Sequence, residues 1–289
     1  MQSSIGKKFQ KMRSNGFSEM EGMERQAFIM AARCLLEEQE HFDDARCIYD
    51  TFDMEMPQDL VLEYARSQWQ KRKYENAVKA YLIVGNVDEL HTAGEKLMKK
   101  KDSTLLELSL KCFEEVGALD QLHILADKTL ALAQDTKNSD LWNIALDAFM
   151  KLRNNEVLIQ FGKKAMEFQQ YDISKHAFHE AGATSLLNKL GHEALKGDAL
   201  IVAASCFKRT KDADGLMRCA EVFFINDDDP SYAWYIFDEL NSGIPIPIDF
   251  FTSHADSLLT QGKDEVALWF YTKISKYNQR IAKKRERVA

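Results

Sequence analysis

The residue types that could do chemistry in this 289-residue chain gather around one stretch. In SKHAFHEAG, His176 and His179 stand three apart and Glu180 follows directly. On a helix, residues three apart share a face, so the two imidazoles are spaced to hold one metal ion together. The HExxH order of zinc peptidases is absent and no further ligand is indicated. With Phe178 between them reading as a core ring, both histidines are expected on the flanks of a helix, in surface or packing roles. Asp227, Asp228 and Asp229 suggest calcium, but the alternating ligands, central glycine and terminal glutamate of an EF-hand are not in register. That run reads as a solvated loop in which Asp229 and Pro230 start the next helix, an acidic cap followed by a residue that tolerates the first helical position.

The remaining chemistry is sparse. Cys34, Cys47, Cys112, Cys206 and Cys219 form an odd, scattered set without a CxxC pair, which suggests neither a disulfide framework nor a zinc site and points to a reducing compartment. Cys112 and Cys206 each stand immediately before a recurring aromatic and read as small core residues. No GxxxxGK[ST], GxGxxG or GxSxG motif occurs, and the glycines appear at turns, as in VGNVD, VGALD, AGATS and KGDAL. No catalytic, cofactor-binding or metal site is therefore expected, and no cofactor.

What must position these residues is a repeat. A five-residue phrase with a small residue first and an aromatic last recurs as ARCIY, AVKAY, SLKCF, ALDAF, SKHAF, AASCF, AWYIF and ALWFY. It ends at Tyr49, Tyr81, Phe113, Phe149, Phe178, Phe207, Phe237 and Tyr271, at intervals of 32, 32, 36, 29, 29, 30 and 34 residues. Those intervals bracket the ~34-residue period of helix-turn-helix repeats. First and last phrase residues are four apart and share a helix face, so the small residue admits a neighbouring helix and the ring fills the space beside it. Upstream of each phrase a first helix carries its own alanine: Ala31, Ala65, Ala93, Ala126, Ala165, Ala194, Ala220 and Ala255. Breaker clusters such as EEQEHFDD, KKKDS, DTKNSD, KGD and TQGKDE mark the turns inside each hairpin. Pro245 and Pro247 predict an extended segment before the last one. Trp69, Trp142, Trp234 and Trp269 lie beside repeat positions and are expected to pack in the core or between repeats, with surface anchoring the alternative.

Composition agrees with a folded helical chain: 45% of residues are hydrophobic, 29% charged, and only four are proline. No apolar run reaches the ~18 residues of a membrane span, and the first residues lack a secretory signal's apolar centre, so a soluble, cytoplasmic protein is expected. A net charge of −7 argues against a general nucleic-acid binder. The basic segments KKFQKMR and KKRER could touch phosphate, acidic proteins or membrane surfaces, or serve as charged end-caps.

The fold class expected is all-α, a right-handed superhelix of about eight hairpins. A polar lead-in over residues 1–24 precedes the array of 25–275, and a basic helical tail covers 276–289. Forms such as YENAVKAYLIVGNVDEL and LSLKCFEEVGALDQL resemble tetratricopeptide-type repeats, and more closely the degenerate hairpins of intraflagellar-transport, coatomer and clathrin-type solenoids. The resemblance spans about residues 25 to 275. The Trp-Leu-Gly-Tyr signature and the closing proline of standard tetratricopeptide units are missing. It implies a non-catalytic scaffold for protein partners, in trafficking or intraflagellar transport. The alternatives are the helical arm of a larger helicase, ATPase or nucleic-acid remodeller, and a co-chaperone.

Overall fold

The computed structural model describes residues 22–38, 41–136, 138–225, 231–238 and 245–286. Among them are sixteen helices and no strand. The triple aspartate 227–229, Pro230 and the basic segment at 7–13 lie outside the described residues. In chain order the helices are α1 Gly22–Glu37, α2 Phe42–Thr51, α3 Gln58–Gln70, α4 Tyr74–Val84, α5 Val87–Met98, α6 Ser103–Val116, α7 Leu119–Thr136 and α8 Ser139–Lys151. They continue as α9 Asn155–Glu167, α10 Tyr171–Glu180, α11 Thr184–Lys196, α12 Leu200–Thr210, α13 Ala213–Ile225, α14 Ser231–Asp238, α15 Ile248–Thr260 and α16 Asp264–Glu286. Consecutive pairs form eight hairpins, as the repeat phrase requires.

The chain divides into two compact units, Met1–Leu152 and Arg153–Ala289, with four hairpins each. In the first, α1 packs on α3, α4 on α6 and α6 on α8, so first helices meet first helices and second helices meet second helices. In the second, α10 packs on α12 and α11 on α13 in the same manner. Tyr49, Tyr81, Phe113, Phe149, Phe178, Phe207 and Phe237 are all buried, as are the small residues that open their phrases. The last phrase differs. Phe270 is fully buried and stacks 5.8 Å from Phe251, while Tyr271 is half-buried and its hydroxyl donates to Asp256. In ALWFY the fourth residue is itself aromatic, and three residues after Ala267 it takes the face that a ring four residues on takes elsewhere.

In the hairpins of Tyr49, Tyr81, Phe113, Phe178 and Phe207 the ring stands near the end of its helix, and four residues on the backbone turns left-handed, at Asp53, Gly85, Gly117, Gly182 and Lys211, with φ from 52° to 67°. The next N–H then donates back to the ring residue's own carbonyl: Met54 to Tyr49 at 3.0 Å, Ala118 to Phe113 at 3.0 Å, Ala183 to Phe178 at 2.8 Å, and Asp212 to Phe207 at 2.8 Å. This is the closing bond of a Schellman cap, which satisfies a carbonyl that would otherwise lack a partner.

The first helices depart from expectation in register. The fully buried alanine of α1 is Ala32, with Ala31 only half-buried. In three hairpins the residue meeting the ring is a glycine inside the helix, not the alanine nearby. A Cβ at Gly94 would stand 2.6 Å from the Phe113 ring, at Gly162 2.7 Å from Phe178, and at Gly191 2.7 Å from Phe207. Glycine costs ~1 kcal/mol against alanine within a helix, so its use here reflects how closely the two helices approach. The opening serines exploit that approach: Ser109 Oγ donates to the Gly94 carbonyl at 2.8 Å and Ser174 Oγ to that of Gly162 at 2.9 Å. Ala93, Ala165 and Ala194 are buried beside these glycines.

Candidate functional site

The histidine stretch lies on α10, at a surface cleft of about 360 Å³ shared with α11 and α12. His176 is exposed and His179 half-buried, on the flanks of a helix whose core ring is Phe178. Each imidazole faces a carboxylate of its own helix: His176 Nε2 lies 3.8 Å from Asp172, and His179 Nδ1 2.9 Å from Glu180. Lys175 pairs with Asp172 at 2.5 Å. From α12 the cleft receives Ser205 and Arg209, with Leu187 and Cys206 buried beneath. Among the described residues no three His, Cys, Asp or Glu side chains converge as metal ligands. The cleft's polar groups are thus largely matched within one helix, an arrangement that solvates a surface well.

All five cysteines are unbridged. Burial pushes the thiols of Cys112, Cys206 and Cys219 up to about 12, which keeps them protonated and poor nucleophiles. They serve as small core residues beside Phe113 and Phe207.

A second polar group ties α11 to α13. Asn188 Nδ2 donates to Asp212 at 2.8 Å, the Gly215 N–H donates to the same carboxylate at 2.9 Å, and His192 lies 3.8 Å away. Burial raises the Asp212 carboxyl, but the Gly215 and Asn188 hydrogen bonds and the charges of His192 and Arg218 outweigh it, and its pKa falls below the ordinary value. Its role is to cap α13 and join two hairpins.

The tryptophans divide. Trp142 and Trp234 are fully buried in the core. Trp69 and Trp269 are half-buried, each beside a lysine: Lys96 Nζ stands 5.8 Å from the Trp69 ring, and Lys273 Nζ 5.0 Å from that of Trp269. Around Trp269 the geometry goes further. Tyr235 of α14 meets it at 5.9 Å and 67°, and Lys273 also covers the Tyr235 ring at 5.1 Å. Sequence reasoning singled out Trp269 but neither Tyr235 nor Lys273. The available signal was that both rings hold the third position of the repeat phrase.

The described residues define an all-α protein of tandem helix hairpins, the helical-repeat class. No family model matches the chain, and no curated protein matches its sequence. Among solved structures, a chain described as a circular tandem repeat protein with novel repeat topology and enhanced subunit contact surfaces is similar at 15% identity. That match covers 86% of this chain and 50% of the other, so this chain spans about half its length. The TM-score is 0.13, and the likeness carries no argument here. No helix among the described residues is long and apolar enough to cross a membrane.

Proposed function

We propose that the chain is a non-catalytic scaffold that holds protein partners along the outer faces of its stacked hairpins. The observation that carries this reading is the division of labour within the repeat phrase. Its first, fourth and fifth positions build the core almost without variation. The third changes freely from hairpin to hairpin: Cys47, Lys79, Lys111, Asp147, His176, Ser205, Tyr235 and Trp269. A fold that fixes its core and varies a regular set of outer positions is suited to recognising partners. Five unbridged thiols fit a reducing, cytoplasmic setting. Assembly of a trafficking or intraflagellar-transport type is the finer form of the proposal, supported by the resemblance of the hairpins alone.

The test is affinity capture of the folded chain from its native lysate, with the recovered molecules identified by mass spectrometry. A stable, stoichiometric protein set supports the scaffold and names its pathway. Recovery of nucleic acid together with an ATPase would replace it with the arm of a remodelling machine. Turnover of a small molecule by the purified chain would overturn the non-catalytic reading.

A further inference from the structure

Eight copies of one phrase allow the chain to be compared with itself. The third phrase position is polar or small in six hairpins and aromatic in the last two, where Tyr235 and Trp269 stand half-buried and touch at 5.9 Å. Phe237 and Phe270 fill the core there, and the two third-position rings pack against its rim, Trp269 4.9 Å from Phe270, while each keeps part of its surface exposed. They begin a charged stripe. Trp269, Lys273, Lys276, Arg280 and Lys283 follow at spacings of four, three, four and three along α16 and so share one face. The inner face of the same helix carries Ala267, Phe270 and Ile274, all buried. Residues 272–285 hold six lysines and arginines and no carboxylate, in a chain of net charge −7. Lys276, Arg280 and Lys283 are exposed and make no ion pair among the described residues. On α10 a comparable cation pairs with a carboxylate of its own helix, Lys175 with Asp172, whereas residues 272–285 offer no such partner in sequence.

We propose that this face of α16, with the Tyr235 and Trp269 rings at one end, is a docking surface for an acidic segment of a partner protein. This rests on the scaffold reading and names one of its surfaces and the chemistry of its partner. Charge complementarity selects an anionic occupant, with the lysines supplying attraction and steering, and tyrosine, tryptophan and arginine are the types that anchor protein interfaces. A nucleic-acid strand would also favour cations, but it needs free ring faces for base stacking. Here the Lys273 ammonium lies over both rings, 5.1 Å and 5.0 Å from their centres, and competes with a base for one face of each. The lysine and the ring edges together suit a carboxylate beside an apolar side chain.

The test uses the full chain and a fluorescein-labelled 15-residue peptide of glutamates with two leucines, followed by anisotropy at low and physiological salt. A single-stranded 15-nucleotide DNA and phosphatidylserine-containing vesicles serve as rival probes. The peptide is expected to bind, weakening about tenfold or more for Trp269→Ala and for the Lys276→Glu/Arg280→Glu pair. Both residues of that pair are exposed, and its unchanged thermal unfolding would show the fold intact. Lys79→Glu/Lys111→Glu, with the same charge change at outward positions of other hairpins, should leave affinity within about twofold. Tighter binding of DNA or vesicles than of peptide would overturn the proposal, as would equal losses in the two charge-reversed pairs. If the native partner is captured equally well by wild type and by Lys276→Glu/Arg280→Glu, the scaffold survives and this surface does not. If neither chain captures any protein, it is the scaffold reading that fails.

Discussion

At the scale of single residues, the ring and the glycine opposite it form the unit of packing. Phe178 is fully buried, and truncating it to alanine is expected to cost about 3 to 5 kcal/mol in urea unfolding, as large core truncations do. The reciprocal change is more telling. Gly162→Ala should gain ~1 kcal/mol of helix propensity, yet its new methyl would stand 2.7 Å from the ring and 3.1 Å from Ala177 Cβ. Overpacking of ~1 to 3 kcal/mol outweighs that gain, so a net loss is expected, and it should shrink in a Phe178→Leu background. Thiols give an independent reading of the core. At pH 8 an aromatic disulfide reagent should reach Cys34 and Cys47 in the native protein, and Cys112, Cys206 and Cys219 only after unfolding. Those three titrate near 9.0 when free and about 12 when buried. Their protonation therefore supports the fold in full below pH 9, and that support is lost as pH rises from 9 through 12. A urea midpoint that stayed level across that window would contradict their burial.

At the scale of helices and turns, the hairpins were legible because a ring recurs near one interval and the turns between helices hold breakers. Register within the first helices was not. Ala93 and Gly94 are adjacent, and one residue turns a helix by about 100°, so choosing the alanine selects a neighbouring direction. Spacing alone does not settle it: Gly162 and Phe178, and Gly191 and Phe207, lie 16 residues apart, but Gly94 and Phe113 lie 19 apart. Tyr271 was misplaced for a related reason, since in ALWFY two aromatics compete for one face and the sequence does not rank them. The corner of Tyr235, Trp269 and Lys273 escaped notice because it joins two hairpins, and a linear pattern shows what each helix carries but not what meets across them. Turn chemistry yields a prediction of its own. After α9, the Gln169 backbone has φ 58°, its N–H bonds to Met166 at 3.0 Å, and that of Gln170 bonds to Ala165 at 2.8 Å. That is a Schellman cap with glutamine where glycine is at ease. Gln169→Gly is expected to stabilise the protein by about 1 kcal/mol in thermal or urea unfolding, whereas the same change at an exposed position inside a helix should destabilise it.

At the scale of the whole molecule, stability belongs to neighbours. Phe207 is buried against Gly191 of its own hairpin and Gly215 of the next, and packing of this nearest-neighbour kind should keep damage local. In native-state hydrogen exchange, Phe178→Ala is expected to accelerate amides of α9 to α12 while those of α1 and α2 keep their rates. Uniform acceleration along the chain would show a single cooperative unit in place of a row of coupled ones.

The backward hydrogen bond from the turn to Tyr49, Phe113, Phe178 and Phe207 bears also on synthesis. It closes within six residues, and the hairpin it finishes spans about thirty, so an early ring needs only its own hairpin and the next, both made before the later hairpins exist. A chain built this way need not wait for distant segments to meet. It can bury its aromatics pair by pair as it leaves the ribosome, at ~5 to 20 residues per second, with little sticky surface exposed at any one moment.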